Sequence, residues 1–206
     1  MSFTNTKLEE FNNSIVGKKI AIIGLGVSNE PLIDYMQERK AKLAVFDKRN
    51  QEKIEQKILN KIEKYKIEKH FGEDYLSNLK DFDIIFKSPS CRADLPEIEA
   101  EVKRGAYLTS EIELVLEFAP CKTIAVTGSD GKTTTTSLIY EILKNKYNCY
   151  LGGNIGYPLF IKIGEMKPED IVVLELSSFQ LMTMKKSPDI AVVTNVTRNH
   201  LDIHKS

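Results

Sequence analysis

Short apolar runs alternate with charge-rich segments along most of this chain. Runs rich in Ile, Val, Leu and Phe predict buried strands. The predicted strands are Lys18–Ile23, Lys42–Phe46, Phe82–Phe86, Lys122–Thr127, Ile171–Leu176 and Asp189–Asn195. Between them, apolar residues recur at the spacing of a helix face. The predicted helices are Ser28–Lys40, Gln51–Lys66, Leu95–Arg104, Ser110–Phe118 and Lys132–Lys146.

This alternation predicts an α/β protein with parallel sheets and right-handed crossovers. A break at Ala119-Pro120 separates two strand–helix units, and each unit has a glycine loop directly after its first strand. We therefore expect two domains. Residues 1–115 would form a Rossmann-like parallel-sheet domain, and residues 116–206 would form part of a P-loop-type α/β ATP-binding domain. In the first domain, Ser28 is the predicted N-cap of its helix.

The second glycine loop is the most informative segment, because it leaves a β-branched strand and opens a helix. Such loops turn backbone N–H groups toward phosphates, and the helix N-terminus adds partial positive charge. Lys132 can reach the outer phosphates of ATP or GTP, and the Thr133 hydroxyl can ligate Mg²⁺. Val126 stands where the general motif has its first glycine, so a turn without a ligand is the alternative. The candidate nucleotide-binding residues are Gly128, Ser129, Asp130, Gly131, Lys132, Thr133 and Thr134.

The first glycine loop, Gly24–Ser28, follows the first strand and has two of the three glycines of a dinucleotide fingerprint. Asn29 stands where the third glycine belongs, which weakens the case for NAD. Asp47 ends the second strand, about 20 residues on, where an acidic residue would meet a ribose. The loop predicts a nucleotide or diphosphate site, and a UDP-sugar is one candidate ligand. A tight turn without a ligand is the alternative.

Polar residues follow three apolar stretches of the second domain. Asn154 lies in a glycine-rich turn, Glu175 ends a strand, and Asn195 and His200 follow the last strand. Ligands of open parallel sheets bind beyond the carboxyl ends of the strands, so Glu175, Asn195 and His200 could converge on the second glycine loop. A carboxylate there suits Mg²⁺, which favours oxygen ligands. Each of these residues also has a purely structural alternative, as a turn, strand-end or loop residue.

Composition narrows the class of protein. The chain of 206 residues has 29 Lys plus Arg and 29 Asp plus Glu, so no basic excess indicates a nucleic-acid partner. No apolar run is long enough to cross a membrane. The N-terminus has no secretory h-region, and the three scattered cysteines indicate a reducing compartment. We expect a cytoplasmic protein.

Four segments occur in the order and approximate spacing of the Mur ligase family, and the chain resembles that family. They are Gly128–Thr134, Gly152–Gly156, Glu175–Gln180 and Asn199–Asp202. The resemblance continues through the first domain at Gly24–Ser28, Asp47–Arg49 and Ser88–Ser90. Members are ATP-dependent amide-bond-forming enzymes of peptidoglycan precursor synthesis. The Glu175–Gln180 segment looks like the branch that adds D-glutamate to UDP-N-acetylmuramoyl-L-alanine.

The resemblance implies catalytic roles for Lys132, Glu175 and His200. ATP would bind at the second glycine loop, with one Mg²⁺ on Thr133 and Glu175 and a second supported by His200. A substrate carboxylate would attack the γ-phosphate to form an acyl phosphate, and the amine of D-glutamate would then displace phosphate. Lys132 would clamp charge on the transferring group. Asn154 would contact the muramoyl-peptide substrate.

The resemblance also assigns the UDP-substrate site to the first domain. Its candidate residues are Gly24, Leu25, Gly26, Val27, Ser28, Asp47, Lys48, Arg49, Ser88, Pro89 and Ser90. Asn29 and Ser90 each replace a frequent glycine of the family. The chain ends soon after His200, so we expect a truncated central domain, no C-terminal amino-acid-binding domain and no activity of this fragment alone. We also expect a monomer that binds small molecules, without nucleic-acid or membrane partners.

Three alternatives remain open at this point. An oxidoreductase could bind NAD at the first glycine loop, although this leaves the second loop unexplained. A nucleotide-binding module could bind ATP without catalysis. The chain could also be another Mur ligase or a ligase similar to folylpolyglutamate synthase. By resemblance, the Phe179-Gln180 pair argues against this third alternative.

Overall fold

A computed structural model of the protein describes residues 3–198. The chain divides into two compact units, one spanning Thr4–Leu114 and a second that begins at Val115. Both units are built on a parallel sheet, which confirms the predicted α/β fold. No helix in the described part of the chain is long and apolar enough to span a bilayer.

The first unit contains a five-stranded sheet in the order β3-β2-β1-β4-β5. Its strands are β1 (Lys19–Ile23), β2 (Lys42–Asp47), β3 (Glu68–Phe71), β4 (Ile84–Lys87) and β5 (Tyr107–Thr109). Its helices are α1 (Thr6–Ser14), α2 (Glu30–Glu38), α3 (Gln56–Lys64) and α4 (Pro96–Arg104), while α5 (Glu111–Phe118) contains the division between the units. The strand order reverses between β1 and β4, which is where ligands bind in open α/β sheets.

The second unit contains a four-stranded parallel sheet in the order β7-β8-β6-β9. Its strands are β6 (Lys122–Thr127), β7 (Cys149–Gly153), β8 (Ile171–Glu175) and β9 (Ile190–Val193). Its helices are α6 (Lys132–Leu143) and the short α7 (Ser178–Leu181), and a 3₁₀ segment covers Phe160–Glu165. Strand β6 lies between β8 and β9, so the loop that follows β6 is flanked by the ends of both neighbours.

The sheet of the first unit is buried on both faces, as the uninterrupted buried runs of β1 and β2 show, and one apolar cluster centres on alternate strand residues. Ala21, Ile23, Phe46 and Ile85 are fully buried there and pack with residues of the segments that follow β3 and β4. The Phe46 ring contacts Phe82 edge-on, with ring centroids 5.6 Å apart. This apolar packing fixes the positions of the strand ends that carry the candidate site residues.

All six predicted strands are present, with ends that differ by a few residues. Three further strands, β3, β5 and β7, were not predicted. The predicted helix Gln51–Lys66 is divided into a 3₁₀ turn at Gln51–Lys53 and α3, with Ile54 in extended conformation between them. The N-cap prediction for Ser28 is wrong, because Asn29 occupies that position.

Candidate active site

The second glycine loop, hereafter the phosphate loop (Gly128–Thr134), connects β6 to α6. Gly128 has a φ of 137° and Gly131 a φ of 78°, a region that side chains rarely adopt. A Cβ atom on Gly128 would lie 2.1 Å from the Thr194 hydroxyl oxygen, so this position has room only for glycine. The first N–H groups of α6 have no intrahelical acceptor, and together with the helix dipole they form an anion-binding site.

Lys132 lies across the phosphate loop instead of extending into solvent. Its Nζ atom donates to the carbonyl oxygens of Gly128 at 2.7 Å and Ser129 at 2.9 Å. These bonds hold the ammonium above the loop backbone and next to the first turn of α6. A cation at that place is suited to the outer phosphates of a nucleotide.

Glu175, Thr133 and Asn154 form a cluster beside the phosphate loop. The Thr133 hydroxyl donates to Glu175 Oε2 at 2.6 Å, and Asn154 Nδ2 donates to Glu175 Oε1 at 2.8 Å. The Asn154 N–H also donates to the Glu175 carbonyl at 2.8 Å. The structure therefore brings together three predicted site residues from β8, α6 and the turn after β7. Asn154 contacts the carboxylate that the sequence analysis assigned to Mg²⁺, and so orients it.

The Glu175 cluster offers oxygen atoms of the kind that Mg²⁺ favours, from the Glu175 carboxylate and the Thr133 hydroxyl. Glu175 is 1% exposed, and no lysine or arginine of the described residues forms a salt bridge with it. A buried carboxylate is stabilised by a cation or by strong hydrogen bonds. No group of three or more His, Cys, Asp or Glu gathers into a metal site within residues 3–198. A site for Mg²⁺ here would resemble nucleotide sites, where one or two protein oxygens and the phosphates share the ion.

Two N–H groups that the motif offers to phosphate have protein acceptors instead. Ser129 N–H donates to the Asn195 carbonyl and Asp130 N–H donates to Asn195 Oδ1, both at 3.0 Å. This leaves the backbone from Gly131 onward as the part of the loop that faces an anion. The predicted convergence of Asn195 on the loop is thus present, whereas His200 lies outside the described residues and its role stays a prediction.

The first glycine loop, Gly24–Ser28, is shaped by the strands on either side of β1. Gly24 has a φ of 83°, and a Cβ atom there would lie 2.3 Å from Ser88 Oγ. Gly26 has open space around its α-carbon. Asn29 is 1% exposed, and its Nδ2 atom donates to the carbonyls of Ile23 and Gly24 at 3.0 Å each. Through these two hydrogen bonds, Asn29 holds the loop in its turn. This explains how the turn forms without a third glycine.

Asp47 braces this loop from the end of β2. Its carboxylate accepts from the Leu25 N–H at 2.8 Å and from Arg49 Nε at 2.9 Å, and Arg49 also donates to the Leu25 carbonyl at 3.0 Å. Burial on its own raises the pKa of Asp47, but the Arg49 guanidinium and the N–H groups of Leu25 and Arg49 outweigh it, so the pKa lies below 3.8. Asp47 is therefore a charged structural brace whose oxygens are largely used within the protein, while Lys48 is exposed.

The residues that follow β4 lie next to the first glycine loop. Ser88 Oγ lies 3.1 Å from Ser90 Oγ, and Ser88 approaches Gly24 as described above. Lys87, which the sequence analysis did not select, is 4% exposed, and its Nζ atom donates to the Ser88 carbonyl at 3.3 Å. Burial lowers its pKa below 10.5. Its place at the end of an apolar strand is the one sequence signal that could have drawn attention to it.

Both units match known protein domains. Residues 18–110 match the Mur ligase MurD-like N-terminal domain, and residues 126–206 match the Mur ligase middle domain. The chain belongs to the Mur ligase family. The matched ranges include the first glycine loop in one domain and the phosphate loop with Glu175 in the other.

Curated relatives named UDP-N-acetylmuramoylalanine–D-glutamate ligase are similar over nearly the whole chain. The protein of Acetivibrio thermocellus is 53% identical over 203 residues, which is 98% of this chain and 43% of that protein. The protein of Clostridium tetani is 50% identical over 202 residues, which is 98% of this chain and 44% of that protein. The chain thus spans less than half the length of these relatives.

Solved Mur ligase structures share the fold. A UDP-N-acetylmuramate-alanine ligase from Thermotoga maritima gives a TM-score of 0.51 at 24% identity, covering 92% of this chain and 44% of that chain. A UDP-N-acetylmuramate:L-alanyl-gamma-D-glutamyl-meso-diaminopimelate ligase from Neisseria meningitides gives 0.51 at 22% identity, covering 90% and 63%. At these identities the comparison supports the architecture alone.

Proposed function

We propose that the protein, in full length, is an ATP-dependent ligase that joins D-glutamate to UDP-N-acetylmuramoyl-L-alanine in peptidoglycan precursor synthesis. The observation that carries the proposal is the cluster at the phosphate loop, in which Thr133 donates to the buried Glu175 beside the Lys132 ammonium. The names of relatives at about 50% identity support the choice of substrate. The three residues lie on matched segments of the middle domain.

At the nucleotide site, the N–H groups from Gly131 to Thr134 would receive a phosphate of ATP, because they lie at the start of α6, where N–H groups have no acceptor within the helix. Lys132 would balance the charge that develops on the transferring phosphoryl group. Thr133 and Glu175 would hold Mg²⁺, which supplies further neutralisation of phosphate charge when bound. Asn154 would keep the Glu175 carboxylate turned toward Thr133.

The reaction would proceed in two displacements. The carboxylate of the L-alanyl substrate attacks the γ-phosphorus, the bond to the β-phosphate oxygen breaks, and ADP leaves. The amine of D-glutamate then attacks the acyl carbon and expels inorganic phosphate, with loss of a proton from nitrogen. Lys132 acts throughout as a hydrogen-bond donor and charge clamp, since it already donates to two carbonyls of the loop.

The first unit would bind the UDP portion of the substrate at its first glycine loop. Gly26 leaves open space through which a diphosphate could approach the backbone. Val27 is 73% exposed in this loop, and the Arg49 guanidinium donates to the Leu25 carbonyl of the same loop. Ser88 and Ser90 present hydroxyl groups at the end of the neighbouring strand.

We also propose a cytoplasmic location, which the three free cysteines among residues 3–198 favour. The monomeric state stays a prediction.

The activity test is ADP release by the full-length protein in the presence of ATP, Mg²⁺, UDP-N-acetylmuramoyl-L-alanine and D-glutamate. We expect ADP release that depends on both substrates, and a product whose mass equals the two joined by an amide. Dependence on a different amino acid would assign the protein to another branch of the family. ATP binding without any substrate-dependent turnover would instead favour a nucleotide-binding module.

A further inference from the structure

The segment Thr194–Thr197, which follows β9, is hydrogen-bonded to the phosphate loop from several sides. Ser129 Oγ donates to the Thr197 carbonyl at 3.1 Å and accepts from the Thr197 N–H at 2.8 Å. Thr194 Oγ1 donates to the Asp130 carbonyl at 2.6 Å. These contacts join two parts of the chain that lie more than 60 residues apart in sequence, so they fix the loop through tertiary structure and not through local turns.

Asn195 makes the most directional of these contacts. Its Oδ1 atom accepts from the Asp130 N–H and its Nδ2 atom donates to the Asp130 carbonyl, both at 3.0 Å. One planar amide thus satisfies both backbone groups of a single residue, an arrangement that requires a donor and an acceptor on the same side chain. The Asn195 carbonyl also accepts from the Ser129 N–H at 3.0 Å.

Gly128 lies very close to the Thr194 hydroxyl group and to the backbone of Asn195. A Cβ atom there would lie 2.9 Å from the Asn195 carbonyl oxygen as well as 2.1 Å from Thr194 Oγ1. The glycine therefore serves close approach between the loop and the segment after β9. This is a second reason for glycine at the position, separate from its positive φ.

We propose that Asn195 is a positioning residue of the nucleotide site. It holds Asp130 on both backbone groups, which fixes the phosphate loop and with it the Gly128 and Ser129 carbonyls that orient Lys132. The loop is then preorganised before a nucleotide binds, so binding does not have to supply the cost of ordering it. This inference rests on the proposed binding of ATP at the phosphate loop.

The test compares Asn195→Ala with Asn148→Ala in the full-length protein. Asn148 is an exposed asparagine whose side chain bonds only Tyr150 among the described residues, which makes its replacement a matched control. We expect Asn195→Ala to weaken MgATP binding about tenfold in calorimetry, the loss expected from hydrogen bonds of this kind. The KM for ATP should rise similarly, while the KM for the UDP substrate stays at the wild-type value.

Hydrogen exchange supplies a readout that a general loss of stability would not reproduce. The Asp130 amide should be protected in the wild type, exchange faster in Asn195→Ala, which removes its side-chain acceptor, and keep wild-type protection in Asn148→Ala. Amides of β8, a buried strand of the same unit, should be unaffected in both variants. Wild-type affinity for MgATP in Asn195→Ala, with exchange at Asp130 unchanged, would overturn the proposal.

A second pair of variants covers the case in which Asn195→Ala does not fold, as judged by lost protection of the β8 amides in the same unit. Thr194→Val removes the hydroxyl bonds to the Asp130 and Thr127 carbonyls, and Thr194→Ser keeps them. We expect weaker MgATP binding in Thr194→Val and wild-type binding in Thr194→Ser, and equal affinities would contradict the proposal. Absence of MgATP binding by the wild-type protein would instead overturn the proposed function itself, and the role of Asn195 with it.

Discussion

At the scale of single residues, two buried charges near the first glycine loop are stabilised to very different degrees. The Asp47 carboxylate is surrounded by donors from Leu25 and Arg49. Lys87 has one long hydrogen bond and no aspartate or glutamate in a salt bridge with it among the described residues, and Cys91 is the titratable group near it. A buried charge that is paired adds to stability, whereas one that is unpaired subtracts from it. The two residues should therefore respond to substitution in opposite directions.

Asp47→Asn is expected to lower the free energy of unfolding at neutral pH by about 1–3 kcal/mol, because donors aimed at a carboxylate lose their charged partner. The pKa of Asp47 lies below 3.8 in the folded protein. Its contribution is therefore present above that value and is lost as the pH falls through the folded pKa. Urea unfolding at several pH values measures the effect, with the exposed Asp74→Asn as control. A difference from wild type that stays constant down to acid pH would contradict the assignment.

Lys87→Met is expected to leave stability unchanged or to raise it by up to about 4 kcal/mol at neutral pH, since it replaces a buried charge by an apolar chain of similar length. Burial lowers the Lys87 pKa below 10.5, so wild-type stability should rise as the pH increases through the folded pKa toward 10.5. The variant should lack that rise. Urea unfolding at neutral and alkaline pH tests this, and Lys80→Met at an exposed position is the control. A clear loss of stability at neutral pH would count against it.

At the scale of elements, the strands that the sequence predicts are those with continuous apolar runs, which are buried in β1 and β8 and mostly exposed in β9. β3 was not predicted, because its residues Glu-Lys-His-Phe contain no such run and lie at the edge of the sheet. β7 ends in Gly152 and Gly153, which predict a turn, but the pair has a packing reason. A Cβ atom on Gly153 would lie 2.1 Å from the Glu175 carbonyl oxygen. Close approach of two strands, which sequence alone does not reveal, decides that position.

The two glycines of the first loop are expected to differ in function. Gly24→Ala should lower the free energy of unfolding by more than about 1 kcal/mol, because the residue has positive φ and its Cβ would meet Ser88. Gly26→Ala meets no atom within 4 Å, so stability should change by less than about 0.5 kcal/mol. Its methyl group would, however, occupy the open approach to the loop backbone. Calorimetry with UDP-N-acetylmuramoyl-L-alanine should show weaker binding in Gly26→Ala, and wild-type affinity would argue against a diphosphate there.

At the scale of the whole molecule, the fold class and the order of the two units follow from periodicity and from two glycine loops. The cluster of Thr133 with Glu175 was also predictable in outline, because strand ends meet at one edge of a parallel sheet. The individual hydrogen bonds of this cluster could not be predicted from the sequence. That Asn195 bonds the N–H groups of Ser129 and Asp130 depends on contacts between segments more than 60 residues apart, and that Asn29 takes the place of a glycine by bonding two carbonyls depends on how the loop folds back on itself. Such contacts are fixed by packing and have no periodic signature.

The two units are expected to bind different ligands through independent sites. UDP-N-acetylmuramoyl-L-alanine should bind through the unit that contains Gly26, and MgATP through the unit that contains Lys132. Gly26→Ala should therefore leave MgATP affinity unchanged. Calorimetry of both ligands with this variant measures the separation, and a loss of MgATP affinity would show that the first loop serves the nucleotide instead.

The most direct test of the account is MgATP binding by Lys132→Met in the full-length protein. Removing an ammonium that contacts phosphate should weaken the affinity at least about tenfold, while UDP-N-acetylmuramoyl-L-alanine binds as in the wild type. Lys167→Met, at an exposed position of the same unit, should bind both ligands normally. Wild-type MgATP affinity in Lys132→Met would contradict the claim that this loop holds the phosphates of ATP.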